Sequence, residues 1–110
     1  MSRTRQGLLV VMMEPEDGYE DTLNEWYETE HLAERLSCPG FLRARRFMAI
    51  EGSPKYLALY DLSSVDDVKS DQYRAHKEQP TALTTLVQQH LKQFHRAVYV
   101  EIPRSTGEPT

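Results

Sequence analysis

A chain of 110 residues has room for one domain, and 39% hydrophobic with 27% charged residues describes a globular protein rather than a disordered or membrane-embedded one. The formal net charge of -4 argues against a nucleic-acid partner, because such binding draws its affinity from clustered cations, and only Arg43, Arg45 and Arg46 cluster here. Cys38 is the only cysteine, so no intramolecular disulfide can form and a reducing, cytoplasmic setting is expected.

Residues 7–13, GLLVVMM, form an unbroken apolar block that predicts a strand buried on both faces. The block is too short to span a bilayer and lacks the length and cleavage site of a signal peptide. After the turn-like EPEDG at 14–18, spacings of three and four over 19–36 predict a helix with Tyr19, Leu23, Trp26, Tyr27 and Glu30 on one face. His31 falls at the edge of that face. Asp17 or Asp21 is the expected cap, and Cys38-Pro39-Gly40 the stop.

Residues 41–50, FLRARRFMAI, and 55–62, KYLALYDL, flank the turn-rich EGSP and predict a β-hairpin. Alternation places Phe41, Arg43, Arg45 and Phe47 on one face of the first strand and Ala44, Arg46 and Met48 on the other. In the second strand Leu57, Leu59 and Asp61 oppose Tyr56, Ala58 and Tyr60. Ser64 with Asp67 three residues on resembles a capping box, opening a helical region that Pro80 divides into 65–76 and 81–90. Residues 94–102, FHRAVYVEI, read as a last strand. The domain therefore spans 1–103, with a flexible tail over 104–110.

The order βαββαβ is that of the α+β, ferredoxin-like fold: one antiparallel sheet with two helices on one face. The first strand has no polar face to offer water, so the other side of the sheet needs a cover. A second copy of the chain is the expected one, giving a two-fold homodimer closed into an α+β barrel.

The succession Trp26-Tyr27, Glu30-His31, Glu34-Arg35-Leu36, Pro39-Gly40-Phe41, Arg45-Arg46-Phe47 and Pro54-Lys55-Tyr56-Leu57-Ala58-Leu59-Tyr60 resembles the EthD-like branch of the dimeric α+β barrel superfamily. The likeness covers roughly 7–102 as an architecture, with its specific motifs between Trp26 and Tyr60. It implies a pocket between sheet and helices in each subunit, with the histidine of the first helix inside. The chemistry it implies ranges over cofactor-independent quinol monooxygenases, polyketide cyclases, decarboxylases of aromatic polyketide acids, muconolactone isomerases and haem-dependent chlorite dismutases. Relatives commonly carry proline two residues after this histidine. Ala33 stands there in this chain, which lets the helix run on unbroken.

His31 is the candidate general acid or base, since a free imidazole exchanges protons near neutral pH; the plain alternative is a solvent-facing helix residue. Tyr27 and Tyr60 are the candidate phenols to hold substrate oxygens beside it. Trp26, Leu23, Tyr56 and Glu30 are the candidate substrate contacts, although aromatics at helical spacing also serve as plain core, and Glu30 equally suits an ion pair with a strand arginine. Arginines of the second strand either anchor a carboxylate or pair across the sheet. His76, His90 and His95 show no metal-ligand spacing with one another or with Cys38, and Cys38 has no adjacent base. No glycine-rich phosphate loop, GxSxG or CxxC is present.

The expectation is thus cofactor-free and metal-free acid/base chemistry of the lyase, cyclase or isomerase kind on a small hydrophobic, aromatic or polyketide-like molecule, with no membrane or nucleic-acid partner. A cofactor-independent quinol monooxygenase and a non-catalytic small-molecule-binding dimer are the alternatives.

Overall fold

The apolar block forms β1 (Gly7–Pro15), an inner strand of a four-stranded antiparallel sheet ordered β2–β3–β1–β4. Its neighbours are β3 (Tyr56–Leu62) and β4 (Leu91–Val100), and β2 (Phe41–Met48) pairs outside β3. Leu9 stands opposite Tyr60 on one side and Val98 on the other, so the backbone of β1 is hydrogen-bonded along both edges. A computed structural model of the protein describes residues 6–103; the tail expected over 104–110 lies outside them.

Leu9, Val11 and Met13 from β1 and Tyr56, Ala58, Tyr60 and Leu62 from β3 are buried against Leu23, Trp26, Tyr27, Tyr73 and Val87 of the helices. The chain is therefore an α+β, ferredoxin-like fold. Alternation turns Val10, Met12, Leu57 and Leu59 to the opposite face of the sheet, where Phe47 and Tyr99 are exposed.

The first helix runs over 20–36 but is not uniform. It consists of α1 (Glu20–Trp26), one π turn (Tyr27–His31) and α2 (Leu32–Leu36), and the Leu32 N–H donates to the Tyr27 carbonyl five residues back. The extra residue in that turn rotates everything after it. His31, expected at the edge of the apolar face, is turned inward, and Glu30, expected near its middle, is moved aside to half-buried.

Neither Asp17 nor Asp21 caps this helix. Tyr19 occupies the cap position without a side-chain bond, and its ring stacks on His90 at 3.8 Å. His90 Nδ1 lies 3.0 Å from Glu16 Oε1, so contacts with the far end of the chain fix the helix start. The Cys38-Pro39-Gly40 stop holds. Gly40 adopts φ +84°, and a Cβ there would lie 2.0 Å from the Asp67 carboxyl carbon, so glycine is required twice over.

Two further expectations change in detail. In β2 the pairing passes from Phe41 opposite Leu62 to Arg43 opposite Asp61, which leaves Leu42 as an extra residue. The bulge separates Phe41 from Arg43, Arg45 and Phe47 and puts it on the helix side with Ala44 and Arg46. The Ser64–Asp67 capping box forms, but it caps a 3-10 turn (Val65–Lys69) rather than a helix reaching His76. α3 (Asp71–Glu78) starts afresh at Ser70, whose hydroxyl accepts from the Tyr73 N–H at 3.1 Å. Pro80 ends that run, and α4 (Ala82–Gln89) follows from a Thr81 cap. No helix among the described residues is long and apolar enough to cross a membrane.

Candidate active site

A cavity of about 250 Å³ lies between the sheet and the helices, partly open to the surface. Leu9, Val11 and Met13 of β1 form its floor, Trp26 and His31 one wall, and Tyr73 and His76 of α3 another. An apolar cavity of ~150 Å³ accepts benzene, so this one has room for a substituted ring or a small bicycle.

The wall residues are held from behind. Trp26 is 1% exposed, and its Nε1–H donates to Thr84 Oγ1 at 2.8 Å, which ties the first helix to α4. His31, 6% exposed, stacks on the indole with ring centroids 4.0 Å apart. Tyr27 meets it edge-on at 5.3 Å and Tyr60 at 6.4 Å. Its Nδ1 is buried without a hydrogen-bond partner among the described residues, 3.7 Å from Glu34 Oε1. Burial is the main reason its pKa falls from 6.5 to about 2, with the charges of Arg35 and His76 acting the same way. The imidazole is therefore neutral over the physiological range, which differs from the ordinary titration that the residue type alone suggested.

Of the residues expected at the site, only Trp26 and His31 lie on the cavity wall. Tyr27 and Tyr60 stand behind His31 in the core, Tyr60 with its hydroxyl buried and unpartnered among the described residues. Burial pushes the Tyr27 phenol up to about 12 against the opposing charge of Arg46, and burial, then the Tyr27 phenol, drives Tyr60 well above the usual range. Both stay protonated. Leu23 is plain core at 1% exposure. Tyr56 is engaged elsewhere: its hydroxyl donates to the Glu20 carboxylate, which Lys55 also holds. Glu30 accepts from Thr81 Oγ1 at 2.5 Å and so finds a hydroxyl, not an arginine. Arg45 pairs with Asp61 across the sheet at 3.3 Å, and Arg46 lies 4.1 Å over the Tyr27 ring.

Tyr73, Lys77, Thr84 and Arg96 line the cavity without having been named from the sequence; Arg35 and His76 also line it, the first named only within a family motif and the second only as a histidine without metal-ligand spacing. For Arg35 a signal existed, since His31, Glu34 and Arg35 stand at helical spacings of three and four. Arg96 comes from the last strand, beyond the reach of spacing. Cys38, expected to lack a neighbouring base, has one: His76 Nδ1 is 3.6 Å from its sulfur. Burial nevertheless raises the thiol's pKa, and Cys38 is not on the cavity wall. Among the described residues no three His, Cys, Asp or Glu side chains converge to hold a metal ion.

No family model matches the chain, and no curated protein matches it. Solved structures do. A dimeric ferredoxin-like protein from an uncultured marine organism superposes with a TM-score of 0.68 at 18% identity, over 94% of each chain. A mutant of SnoaB, a cofactor-independent oxygenase from Streptomyces nogalater, gives 0.62 at 14% identity, over 96% of this chain and all of the other. An EthD family protein from Bacillus halodurans gives 0.62 at 15%, over 90% and 100%. At these identities the likeness shows the shared ferredoxin-like fold.

Proposed function

We propose that the protein is a small enzyme that moves a proton on a compact, ring-bearing molecule, with His31 as the base and no organic cofactor. The observation that carries this reading is a buried imidazole set in the wall of a ring-sized cavity, stacked on a hydrogen-bonded indole. Burial keeps the free imidazole neutral and makes it a weak base, so it takes a proton from a C–H or O–H that the ligand's own carbonyl acidifies only as the negative charge forming beside it stabilises the imidazolium. The resulting enolate is favoured by the neighbouring Arg35 charge. Returning the proton at another carbon completes an isomerisation, and the same enolate serves cyclisation or decarboxylation. Tyr27 and Tyr60 act as positioning residues that hold the imidazole edge, and Trp26 packs against the ring.

Exchange of the C1 protons of 2-tetralone in deuterium oxide, followed by proton NMR, tests the reading without presupposing a product. The wild type accelerates exchange, and His31→Gln loses about 100-fold or more of that acceleration. No acceleration by the wild type, or equal acceleration by the variant, overturns it.

Oxygen insertion is a second reading, favoured by the likeness to the oxygenase SnoaB. An enolate or quinol anion is also what reacts with dioxygen, so oxygen uptake with 1,4-naphthalenediol separates the two readings.

We infer further that two copies pair through the uncovered sheet face, which the dimeric ferredoxin-like neighbour and the apolar Val10, Met12, Leu57, Leu59 and Tyr99 support; kinship with the EthD-like branch is part of the same reading, supported by the likeness to an EthD family protein. Sedimentation at micromolar concentration gives a dimer; a monomer refutes the pairing.

A further inference from the structure

The chain is acidic overall, yet its cavity is not. Arg35, Lys77 and Arg96 all line it, and Glu34 is the one acid beside them. All three cations surround a single ring: the Arg35 guanidinium carbon lies 4.8 Å from the Tyr73 centroid, Lys77 Nζ 5.6 Å and the Arg96 guanidinium carbon 5.9 Å. Arg96 also donates to the Tyr73 hydroxyl at 3.0 Å.

These charges are left unanswered. Arg45, Lys55, Lys69, Arg74 and Lys92 each have a carboxylate within 4 Å, whereas among the described residues none stands that close to Arg35, Lys77 or Arg96. Arg35 Nη1 is buried with no hydrogen-bond partner among those residues. A buried guanidinium nitrogen without an acceptor is costly, and three like charges round one ring repel one another. Each of these penalties is relieved by an anion entering from the cavity.

We propose that this cluster is an anion subsite, and that the molecule the cavity takes is an aromatic acid whose carboxylate lies on Arg35, with Lys77 and Arg96 at the mouth, while its ring lies against Trp26 and His31. The proposal rests on the reading of the cavity as a ligand site and narrows its substrate class. A carboxylate matches the fork of a guanidinium, and Tyr73 holds two of the cations in place by its ring face and hydroxyl. Arg35 is close enough to depress the protonation of His31, so the anion site and the base are adjacent parts of one pocket. Burial is the larger cause of that depression and the Arg35 charge the next, so a bound carboxylate offsets the part that Arg35 contributes.

Isothermal titration calorimetry with 2-naphthoate and its neutral isostere 2-naphthamide tests this at low salt. Charge-assisted hydrogen bonds predict that wild type binds naphthoate about tenfold to a hundredfold tighter than the amide. Arg35→Gln removes most of that preference, whereas Lys69→Gln, an exposed cation of the 3-10 turn away from the cavity, leaves it intact. The double variant K77Q/R96Q, with exposed side chains, reduces the preference too and carries the test if Arg35→Gln does not fold. No measurable naphthoate binding, equal affinity for acid and amide, a preference that survives both cavity variants, or an equal loss in Lys69→Gln overturns the proposal.

The outcome separates from that of the catalytic reading. His31→Gln keeps the preference while losing tetralone exchange, so a failed anion site leaves the base untouched and a failed base leaves the anion site standing.

Discussion

Replacing His31 by phenylalanine removes the titratable group while keeping a flat ring against Trp26, and the consequence is a change in how stability depends on pH. Above pH 6.5 the imidazole is neutral in both the folded and the unfolded chain and contributes nothing to the dependence. Below it, the unfolded chain takes up a proton that the native site refuses until about pH 2, so stability falls as pH falls across that window. The slope is about 1.4 kcal/mol per pH unit, so by roughly pH 5 the wild type has lost about 2 kcal/mol on account of this residue alone. Urea unfolding near pH 7.5 and near pH 5, at one fixed protein concentration, measures it. The wild type should lose about 2 kcal/mol more than His31→Phe between the two conditions, all other titrating groups cancelling in the comparison. Equal losses would refute the reasoning, for they would mean that native His31 accepts its proton as readily as a free one, with Glu34 as counter-ion.

Three other perturbations test the frame around the site. Thr84→Val keeps the side-chain shape but strips Trp26 Nε1–H of its acceptor, and a buried donor left unpaired should lower stability by about 1–3 kcal/mol in thermal denaturation. Gly40→Ala forces a side chain into φ +84° and against the Asp67 carboxylate, so it should cost about 2–4 kcal/mol and loosen the 3-10 turn that Asp67 caps, visible as faster amide exchange at Ser64. Tyr60→Phe removes a buried hydroxyl that lies beside the Tyr27 phenol without a well-formed hydrogen bond to it, and its melting temperature should stay close to that of the wild type.

The strands and helices and their order along the chain were readable because their signals are local. GLLVVMM has no polar alternation, Pro80 breaks one helix from the next, and Ser64 with Asp67 forms the cap their spacing announces. The π turn left no such mark, because a wheel drawn at 3.6 residues per turn assumes the regularity that Tyr27–His31 abandons; that single extra residue exchanged the expected places of Glu30 and His31. The Leu42 bulge misled the reading of β2 in the same way, by breaking a period of two. Trp26 and His31 were named as candidates for their chemistry, but the wheel put His31 at the edge of the apolar face and only the family resemblance implied a pocket around it. Arg35, Tyr73, His76 and Arg96 meet only through the packing of α3 and β4 on the first helix, and no pattern along the chain joins residues so far apart.

The central claim is that a neutral His31 waits in the wall of a cavity that admits a ring. Long-range nitrogen–proton NMR of the His31 imidazole, recorded across acid to neutral pH with and without 2-tetralone, tests it most directly. The free protein should show a neutral ring throughout, and the ring signals should be displaced once 2-tetralone is added. A ring that titrates with the midpoint of a free histidine, or one whose signals ignore 2-tetralone, would contradict it.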